Sequence, residues 1–486
     1  MWRPPHVTKH VVVPDRWPSS ANAAHSHLFS EFSQGRLKLA ERTWVPAMVP
    51  WRATEDGEVT DNVLQWYGRF AKGQPGAIVV EATGIRDIPS GPLLRIGHDR
   101  YLRGLETLVK RVKEHSQGRT KLFIQLIDFL RLNRRPKPSV YFARYLKITE
   151  HHRRALADLT KTDHWIDAPE ADVRSFLAEQ SDQRLLDVLT ERELENLYLG
   201  YRERVTDTHL EHIASLPAQL PRLFSEAAKR AESVGFDGVE LHYAHAYTMA
   251  SFLSKTNQRD DGYGGSLSHR LRCPMEVYDA VRQSVGDAFV VGCRFLVDEV
   301  IDTGFSARES PQIALAFAHQ GMDFLSLSKG GKFDDAKQPK VGQAIYPYTG
   351  KSGYECMPTI YSDTRGPFYR NIDAMADVKA VLREASLPTP VVVAGGINNF
   401  TRAESLLKNG HADIIAAARQ TLADPDWFMK MRQGRGQDIR RCKYTNYCEA
   451  LDTRHKEVTC QLWDRIQIDE PGIALSKDRK RRLIAP

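Results

Sequence analysis

The sequence of 486 residues predicts an α/β fold, a single (β/α)8 TIM barrel with long insertions after strands 3 and 6. Three observations carry this prediction. Eight short, mostly apolar segments are spaced along the chain, as expected of parallel strands that are covered on both faces. Helical patterns separate these segments. No second alternating series is present, which favours one closed barrel over two separate domains.

The eight predicted strands come in the following order along the chain: Trp44–Met48, Ala77–Glu81, Leu122–Leu126, Val239–Leu241, Val290–Phe295, Phe324–Ser328, Val391–Ala394 and Ile414–Ala417. Helical periodicity lies between them, at Asn62–Ala71, Tyr101–His115, Leu220–Ser233, Pro274–Ser284, Pro311–His319, Ile372–Glu384 and Thr401–Lys408. Some of these patterns end at clear stop signals, such as the Asn409-Gly410 pair.

Two connections are far longer than the few residues that usually join a strand to a helix. The first, about 128–217, contains helical patterns at Ala171–Leu186 and Glu191–Thr206. The second, about 330–371, is rich in Gly, Pro, Tyr and Lys and is expected to be irregular. Both leave the carboxyl ends of strands, so we expect them to roof the active site rather than to decorate a distant surface.

The domain organisation follows from these elements. We predict an N-terminal extension at 1–35, which wraps the outside of the barrel or stays loose because it lacks periodicity. The barrel occupies 36–435. A C-terminal extension with an incomplete cysteine motif occupies 436–486.

Composition limits the class of protein. The 42% hydrophobic and 27% charged residues are typical of a soluble globular protein. No apolar run is long enough to span a membrane, and the N-terminus lacks the apolar stretch of a secretory signal, so a cytoplasmic location is expected. A small-molecule substrate is the expected partner, and no association with a membrane is expected. The sequence leaves open whether the chain forms a homo-oligomer.

Two basic clusters are candidate contacts for nucleic acid. They lie at Arg131–Lys137 and Lys477–Arg482, in a chain whose formal charge of +7 is small beside its 68 basic and 61 acidic residues. Nucleic-acid binding would require such clusters on one folded face with aromatic residues between them. We favour a solvated loop and a solvated tail, although the second cluster could equally lie against the protein's own acidic surface.

The segment Gly235–Arg270 is the most informative part of the chain. Its short apolar strand ends in a polar cluster of His242, His245 and Tyr247. This position, directly after a strand, is where a β/α enzyme places its chemistry. The spacing of the imidazoles lets both point at one oxygen. One alternative is a pair of metal ligands, but no nearby Cys, Asp or Glu at ligand spacing completes such a site. The other alternative is that either histidine is only a packed core residue.

Two segments near the end of the barrel predict a phosphate site. Val391–Ile397 is a buried strand that runs into Gly395 and Gly396, and Ala412–Arg419 is a strand that ends in small residues and Arg419. Glycine lets backbone N–H groups approach an anion, and the loops after strands seven and eight are the recurring phosphate site of these barrels. Arg419 can add a bidentate contact.

Polar groups at three other strand ends outline a flavin pocket. Gln125 ends the third strand, Arg294 lies in the fifth, and the segment Glu81–Thr83 ends the second. A glutamine amide can pair with a flat heterocycle, and a buried arginine can stabilise negative charge on it. Each residue alone fits a structural hydrogen-bonding role equally well.

With these residues in view, the chain resembles the old yellow enzyme family of FMN-dependent flavoproteins. The resemblance covers roughly residues 37–435 apart from the insertions. Its motifs occur in the family's order: VPAM (Val45–Met48), VVEATGI (Val79–Ile85), FIQL (Phe123–Leu126), GFDGVELHYAHAYTMASFLS (Gly235–Ser254), YGGSLSHR (Tyr263–Arg270), VVAGGI (Val392–Ile397) and ADIIAAARQTLADP (Ala412–Pro425).

The resemblance implies a cofactor and a reaction. FMN would be reduced by NADPH or NADH, and an activated alkene would then be reduced by hydride transfer. The implied cofactor-binding residues are Ala47, Met48, Ala82, Gln125, His242, Arg294, Gly395, Gly396, Ala418 and Arg419. His242 and His245 match the pair that binds the substrate's carbonyl oxygen, and Tyr247 matches the proton donor.

The chain departs from the family's pattern at several positions. Asp128 stands where the family commonly has a histidine followed by Ala-Gly-Arg. Met48 replaces a Thr or Cys that tunes the flavin, and Ala418 replaces a glycine. These changes leave FMN binding as the expectation, while the redox potential and the natural substrate stay open.

The C-terminal cysteines resemble an incomplete cluster motif. Cys442, Cys448 and Cys460 are spaced as in the larger family members, but Thr445 stands where those have a fourth cysteine. A 4Fe–4S cluster normally needs four thiolates, so a cluster here would require an unusual ligand or a three-iron form, and we predict no metal. The chain also ends soon after Cys460, so the nucleotide-binding domains of the larger members are not expected.

The main hypothesis is therefore an ene-reductase, an oxidoreductase driven by NADPH or NADH through FMN. The first alternative is the same barrel acting as an amine dehydrogenase, demethylase or other dehydrogenase. The second is a non-catalytic or RNA-associated flavoprotein, suggested only by the basic clusters. The choice between NADH and NADPH stays open.

Overall fold

A closed barrel of eight parallel strands forms the centre of the protein. The computed structural model describes residues 2–12 and 15–486. The strands are β1 (Thr43–Val45), β2 (Ala77–Gly84), β3 (Lys121–Ile127), β4 (Gly238–Tyr243), β5 (Val290–Leu296), β6 (Leu325–Ser328), β7 (Val391–Val393) and β8 (Ile414–Ala416). They are ordered as in the sequence, and Ile415 of β8 pairs with Thr43 of β1 to close the barrel. The predicted fold class and all eight strands are confirmed.

Helices follow the first seven strands, as the periodicity predicts. They are α1 (Asp61–Lys72), α2 (Leu102–His115), α3 (Leu216–Ser233), α4 (Leu267–Ser284), α5 (Ser310–Gln320), α6 (Ile372–Glu384) and α7 (Phe400–Lys408). Helix α4 begins earlier than the predicted Pro274. Its N-cap is Ser266, whose side chain accepts a hydrogen bond from the backbone N–H of His269. The proline therefore lies inside the helix.

Shorter helices and strands lie before, between and after these long elements. The α-helical ones are Ser20–Ala24, Glu211–Ala214, Thr248–Leu253, Lys351–Cys356, Arg419–Ala423, Trp427–Arg432 and Tyr447–Asp452, with 3-10 turns at Asp99–Tyr101 and Gly436–Asp438. Thr8–Lys9 pairs antiparallel with Tyr361–Ser362. The second insertion thus contains a short helix and a strand that its irregular composition did not predict.

A hairpin closes the amino-terminal end of the barrel. Phe32–Gln34 pairs antiparallel with Leu37–Leu39, and Gly35 makes the turn with φ +55°. Phe32 packs with Trp44 and Phe324 in the core. The expectation that residues 1–35 wrap the outside or stay loose is therefore wrong for Phe32, because burying its ring stabilises the barrel floor. Met1, Val13 and Pro14 lie outside the described residues.

Parts of both insertions fold into a second compact unit, made of Leu130–Arg204 and Ala336–Tyr346. Its helices are Pro138–Val140, Glu150–Thr160, His164–Asp167, Glu170–Ala178, Asp182–Leu185 and Glu191–Leu199, with a π-helical turn at Tyr141–Tyr145. The unit has its own apolar core, which includes Phe142, Leu156, Val173, Leu177 and Leu197. The roofing role of the insertions and the proposed domain boundaries stay predictions.

Two helices of this second unit are shorter than the periodicity predicts. The predicted helix Ala171–Leu186 is interrupted, because Ser181 is extended and caps a new helix. The predicted helix Glu191–Thr206 ends at Leu199, because Gly200 follows with φ +90°. Apolar spacing continues through both breaks, so periodicity alone does not reveal them.

The basic cluster at Lys477–Arg482 is only partly solvated. Arg481 and Arg482 are buried. Arg481 Nη1 donates to the backbone oxygen of Glu457 at 2.6 Å, and its Nη2 lies 3.7 Å from the Glu457 carboxylate. The solvated-tail expectation is wrong for these two residues, and the alternative, packing against the protein's own acidic groups, is confirmed for Arg481. Among the described residues, no helix is both long and apolar enough to cross a membrane.

Candidate active site at the carboxyl ends of the strands

The end of β4 brings His242, His245 and Tyr247 together. Every residue of β4 is buried, and His242 lies near its carboxyl end. The chain then turns sharply, and His245 adopts the left-handed conformation with φ +60°, which is uncommon for a residue with a side chain. Tyr247 is extended and precedes the helix Thr248–Leu253. Both imidazoles are almost fully buried.

The two imidazoles converge on a common point. Nδ1 of His245 lies 3.3 Å from Nε2 of His242. The other ring nitrogen of His245 is 3.0 Å from Oγ of Ser328, at the end of β6. Because two ring nitrogens face each other at this distance, one acceptor oxygen placed beside them can contact both. This geometry agrees with the pairing predicted from their spacing.

Burial keeps both imidazoles neutral. Desolvation, followed by the positive charge of Arg294, lowers the pKa of His242 to about 3. The pKa of His245 is lowered well below its ordinary value by desolvation, then by His242, Arg294 and Lys332. At pH 7 each ring therefore carries one N–H and one lone pair. The pair can donate hydrogen bonds to an oxygen without bringing a positive charge.

Tyr247 lies among aromatic rings, of which Phe129 and Phe333 were not singled out from the sequence. Its ring meets that of Phe129 edge-on at 5.2 Å and that of His242 at 5.5 Å, and Phe333 lies at 6.3 Å. Desolvation, then the negative charge of Asp452, raises the pKa of Tyr247 above its ordinary value. The phenol therefore keeps its proton at neutral pH and is available as a proton donor.

Tyr348 is a further aromatic residue that was missed, with its ring 5.6 Å from that of His245. Tyr348 and Phe333 come from the second insertion, whose composition carries no periodic signal. Phe129 had a weak signal, because it follows directly after the third predicted strand.

Gln125, Glu240 and Arg294 form a polar layer on β3, β4 and β5. Nε2 of Gln125 donates to Oε1 of Glu240 at 2.6 Å, across paired positions of the two strands. Glu240 is fully buried. Desolvation raises the pKa of its carboxyl, and the positive charge of Arg294 offsets only part of this rise. Sequence reasoning missed Glu240, although a carboxylate inside an apolar strand was a usable signal.

Arg294 has two donors without a partner. Its Nε and Nη1 atoms are buried and make no hydrogen bond with any described residue. A buried N–H that stays unpaired costs about 1–3 kcal/mol, and more for a charged group. Such donors therefore indicate that an acceptor group belongs beside them. Arg294 is on β5 at the position paired with His242 of β4, so this acceptor would lie close to the imidazoles.

Apolar residues at the carboxyl ends of β1 and β2 lie at the same end of the barrel. Ala47 and Met48 follow β1 and are half-buried. Ala82 of β2 pairs with Gln125 of β3, just after an irregularity in the register. The neighbouring Glu81 is fully buried and accepts a hydrogen bond from the Tyr67 hydroxyl at 2.9 Å.

Gly395 and Gly396 follow β7, and Ala418 and Arg419 follow β8, which is paired in parallel with β7. Gly395 and Gly396 have φ of +126° and +71°, and a Cβ on Gly396 would come within 2.5 Å of the backbone oxygen of Pro367. Only glycine fits this turn without strain. Nη1 of Arg419 already donates to the backbone oxygen of Pro358 and to Asn446 Oδ1, both at 2.7 Å.

Asp128, the residue that departs from the family pattern, has a structural partner. Its carboxylate receives two hydrogen bonds from Arg86, at 2.6 and 2.9 Å, and is almost fully buried. Arg86 also donates to the backbone oxygen of Phe129 at 2.9 Å. The ion pair therefore anchors Phe129, the ring that contacts Tyr247.

Burial disfavours the thiolate form of the C-terminal cysteines. Burial raises the pKa of Cys448 and of Cys460 to about 12. Thr445, at the position of the missing fourth cysteine, accepts a hydrogen bond from Gln461 at 2.7 Å. Within the described residues, no group of three or more His, Cys, Asp or Glu side chains is arranged to hold a metal ion.

Comparison with known proteins relates this site to characterised sequences. Residues 217–438 match the NADH:flavin oxidoreductase / NADH oxidase family. The NADH oxidase of Thermoanaerobacter brockii is 29% identical over 423 residues, covering 86% of this chain and 52% of that protein. The N,N-dimethylglycine/sarcosine dehydrogenase of Chromohalobacter salexigens is 25% identical over 443 residues, covering 90% of this chain and 53% of that protein. The chain spans about half the length of these curated relatives.

Solved structures share the barrel. The old yellow enzyme homologue from Zymomonas mobilis superposes with a TM-score of 0.52 at 19% identity, covering 85% of this chain and 92% of that chain. At this level of identity the likeness concerns the fold alone.

Proposed function

Because this chain belongs to the NADH:flavin oxidoreductase / NADH oxidase family, we propose that it uses NADH or NADPH to reduce the C=C bond of an α,β-unsaturated carbonyl compound. The family expected from the sequence is confirmed, and FMN is the cofactor of this family. One observation carries the proposed reaction: two neutral imidazoles converge within 3.3 Å beside the protonated phenol of Tyr247.

The residues at the strand ends fit FMN. The unpaired donors of Arg294 suit the acceptor edge of a flavin ring. Nε2 of Gln125 is engaged by Glu240, so the amide oxygen of Gln125 is the atom left for a donor on the ring. Half-buried Ala47 and Met48, together with Ala82, would line the ring. When bound there, FMN would supply the hydride-transfer chemistry between the nicotinamide and the alkene.

The phosphate of FMN would be held at the ends of β7 and β8. Gly395 and Gly396 let backbone N–H groups approach an anion, and Ala418 and Arg419 face the same end of the barrel. Nη1 of Arg419 is already engaged by Pro358 and Asn446, so Arg419 would contribute through its remaining donors. The glycine pair is therefore the main support for this part of the proposal.

In the proposed reaction, His242 and His245 hold the carbonyl oxygen of the substrate. Neutral N–H donors stabilise the negative charge that develops on this oxygen, and burial strengthens the interaction because water does not screen it. Tyr247 then donates its proton to the α-carbon. Its raised pKa keeps the proton on the phenol until a strong base, the developing carbanion, is beside it.

A spectroscopic titration tests this function. We expect the purified protein to be yellow, to bleach when NADH or NADPH is added without oxygen, and to recover its flavin spectrum on addition of 2-cyclohexen-1-one. The saturated ketone cyclohexanone is the matched control and should restore nothing. A protein that takes up no FMN on reconstitution, or a bleached flavin that the enone does not re-oxidise, would contradict the proposal.

Oxidation or demethylation of an amine is the second candidate function. It is favoured by the 25% identity to an N,N-dimethylglycine/sarcosine dehydrogenase across 90% of this chain. The aromatic rings of Tyr247 and Tyr348 also feel the negative charge of Asp452, a combination that suits an ammonium group. Bleaching of the flavin by N,N-dimethylglycine alone, without a nicotinamide, would favour this candidate over the first.

A further inference from the structure

His245 is held at both of its ring nitrogens. Ser328, which ends β6 and is almost fully buried, contacts Nε2 through its hydroxyl at 3.0 Å. His242 contacts Nδ1 at 3.3 Å. A neutral imidazole donates from one nitrogen and accepts at the other, so the partner at Nε2 decides which nitrogen carries the proton.

A third group, the thiol of Cys356, limits the choices of Ser328. Burial raises the pKa of this thiol to about 11 and outweighs the interaction with the Ser328 hydroxyl, which lowers the pKa, so the thiol stays protonated. Two arrangements of protons are therefore consistent. In one, the Cys356 thiol donates to Ser328 and the Ser328 hydroxyl donates to His245. In the other, Nε2–H of His245 donates to Ser328 and the hydroxyl donates to sulfur.

In the first arrangement, the Ser328 hydroxyl donates to the better of its two possible acceptors. A neutral thiol sulfur is a weak acceptor, whereas the lone pair of an imidazole nitrogen is a strong one. The single hydroxyl proton of Ser328 is therefore better placed on Nε2 of His245 than on Cys356. His245 must then carry its own proton on Nδ1, the nitrogen that faces His242.

We propose that Ser328 is a positioning residue that holds His245 in the tautomer with the proton on Nδ1, so that this N–H is preset for the oxygen of the bound substrate. The inference deepens the proposed function and rests on it for the identity of that oxygen. Ser328 itself does not touch the substrate in this scheme. It acts through the proton position of His245, as outer partners of histidine do in metal sites.

This assignment makes the two imidazoles different. In the free protein, Nδ1–H of His245 donates to Nε2 of His242, so the proton of His242 is on its Nδ1. That atom has no hydrogen-bond partner among the described residues other than the backbone of His242 itself. No other side chain therefore fixes the tautomer of His242, which can move its proton to Nε2 and donate when the substrate oxygen is present, whereas Ser328 fixes that of His245.

Nitrogen NMR of the FMN-loaded full chain, labelled with 15N-histidine, tests the proposal. The His245 signals are assigned by their loss in His245→Asn. We expect His245 of the wild type to be protonated on Nδ1 alone. In Ser328→Ala it should become a mixture of both tautomers, and Ser328→Thr should restore the single form because it keeps the hydroxyl.

Ser326→Ala is the matched control, because it removes a hydroxyl from the same strand beside Glu240 rather than beside His245. It should leave the His245 tautomer unchanged. A wild-type His245 protonated on Nε2 would overturn the proposal without any variant. A Ser328→Ala spectrum identical to the wild type would overturn it as well.

Kinetics separate this inference from the proposed function. In Ser328→Ala we expect KM for the enone to rise about tenfold. This change corresponds to the free energy of one hydrogen bond at the upper end of its usual range. The rate of flavin reduction by the nicotinamide should not change. If the NMR result holds while no enone re-oxidises the flavin of any variant, the role of Ser328 in His245 stands and the proposed substrate is wrong.

Discussion

Two parts of the active-site end of the barrel are built in different ways. At the end of β4, the proposed catalytic groups are buried side chains: His242, His245 and Tyr247 all have pKa values shifted mainly by desolvation. At the ends of β7 and β8, the distinctive feature is the backbone, because Gly395 and Gly396 both have positive φ. The first region depends on which groups carry protons, and the second on close approach of the main chain.

The difference extends to the charged residue of each region. Arg294, near the imidazoles, has two buried donors without a partner. Arg419, at the end of β8, donates to Pro358 and Asn446 and lies 4.7 Å from the Tyr444 ring. A motif can therefore bring an arginine to the site without leaving all its donors available. The two regions should respond to different kinds of substitution.

Replacing a single functional atom should have its largest effect at β4. Tyr247→Phe removes only the phenol oxygen, so we expect re-oxidation by enone to slow about 10³-fold, within the usual range for a proton donor. Reduction by NADH or NADPH should be largely unaffected. Stopped-flow absorbance of the two half-reactions measures both rates.

Tyr243→Phe is the control for that change, since the Tyr243 hydroxyl is also buried on β4 but donates to the backbone oxygen of Pro274 at 2.8 Å. It should lower stability without a comparable loss of re-oxidation. Equal slowing of both half-reactions in Tyr247→Phe would show that its phenol is not the proton donor.

At β7, adding a single carbon should have the larger effect. Gly396→Ala would place a Cβ within 2.5 Å of the Pro367 oxygen at φ +71°. We expect a loss of about 3 kcal/mol in the free energy of unfolding, from backbone strain together with the clash. Gly118→Ala has nearly the same φ, +73°, and no atom nearby, so it should lose about 1–2 kcal/mol. Urea unfolding measures both, and equal losses would mean that close approach at Gly396 is unimportant.

Acid should weaken the protein through the β4 region. The pKa of His242 is about 3 in the folded protein and about 6.5 when unfolded, so below pH 6.5 only the unfolded chain takes up the proton. The free energy of unfolding should therefore fall by up to about 1.4 kcal/mol for each pH unit below that value, and stay level above it with respect to this group. Urea unfolding between pH 7.5 and 5 should show a shallower fall in His242→Gln, and an unchanged slope would contradict the assignment.

Local patterns were sufficient for the barrel and for the order of its motifs. Alternation of apolar strands with helical periodicity located all eight strands, because parallel strands buried on both faces have a simple apolar pattern. The predictions from the sequence failed where tertiary packing decides the local structure. Phe32 closes the barrel floor, which no periodic signal indicated, and the helix after Glu191 ends at Gly200 despite continued apolar spacing.

The candidate site divides in the same way. Motif and position in the sequence determined which residues reach the carboxyl ends of the strands, including His242, His245, Tyr247 and Arg294. Which of their atoms are paired was decided only by residues distant along the chain. Ser328 lies beside His245, and Asn446 engages Arg419, through contacts that no local spacing encodes.

The sequence by itself therefore determined the barrel, the resemblance to a flavoprotein family and the chemical types of the candidate site residues, because these depend on short-range patterns and motifs. Only the tertiary structure decided the protonation of the imidazoles, the unpaired donors of Arg294 and the anchoring of Phe129 by Asp128. These properties depend on burial and on partners brought together from separate strands and loops. They exist only once the chain has folded.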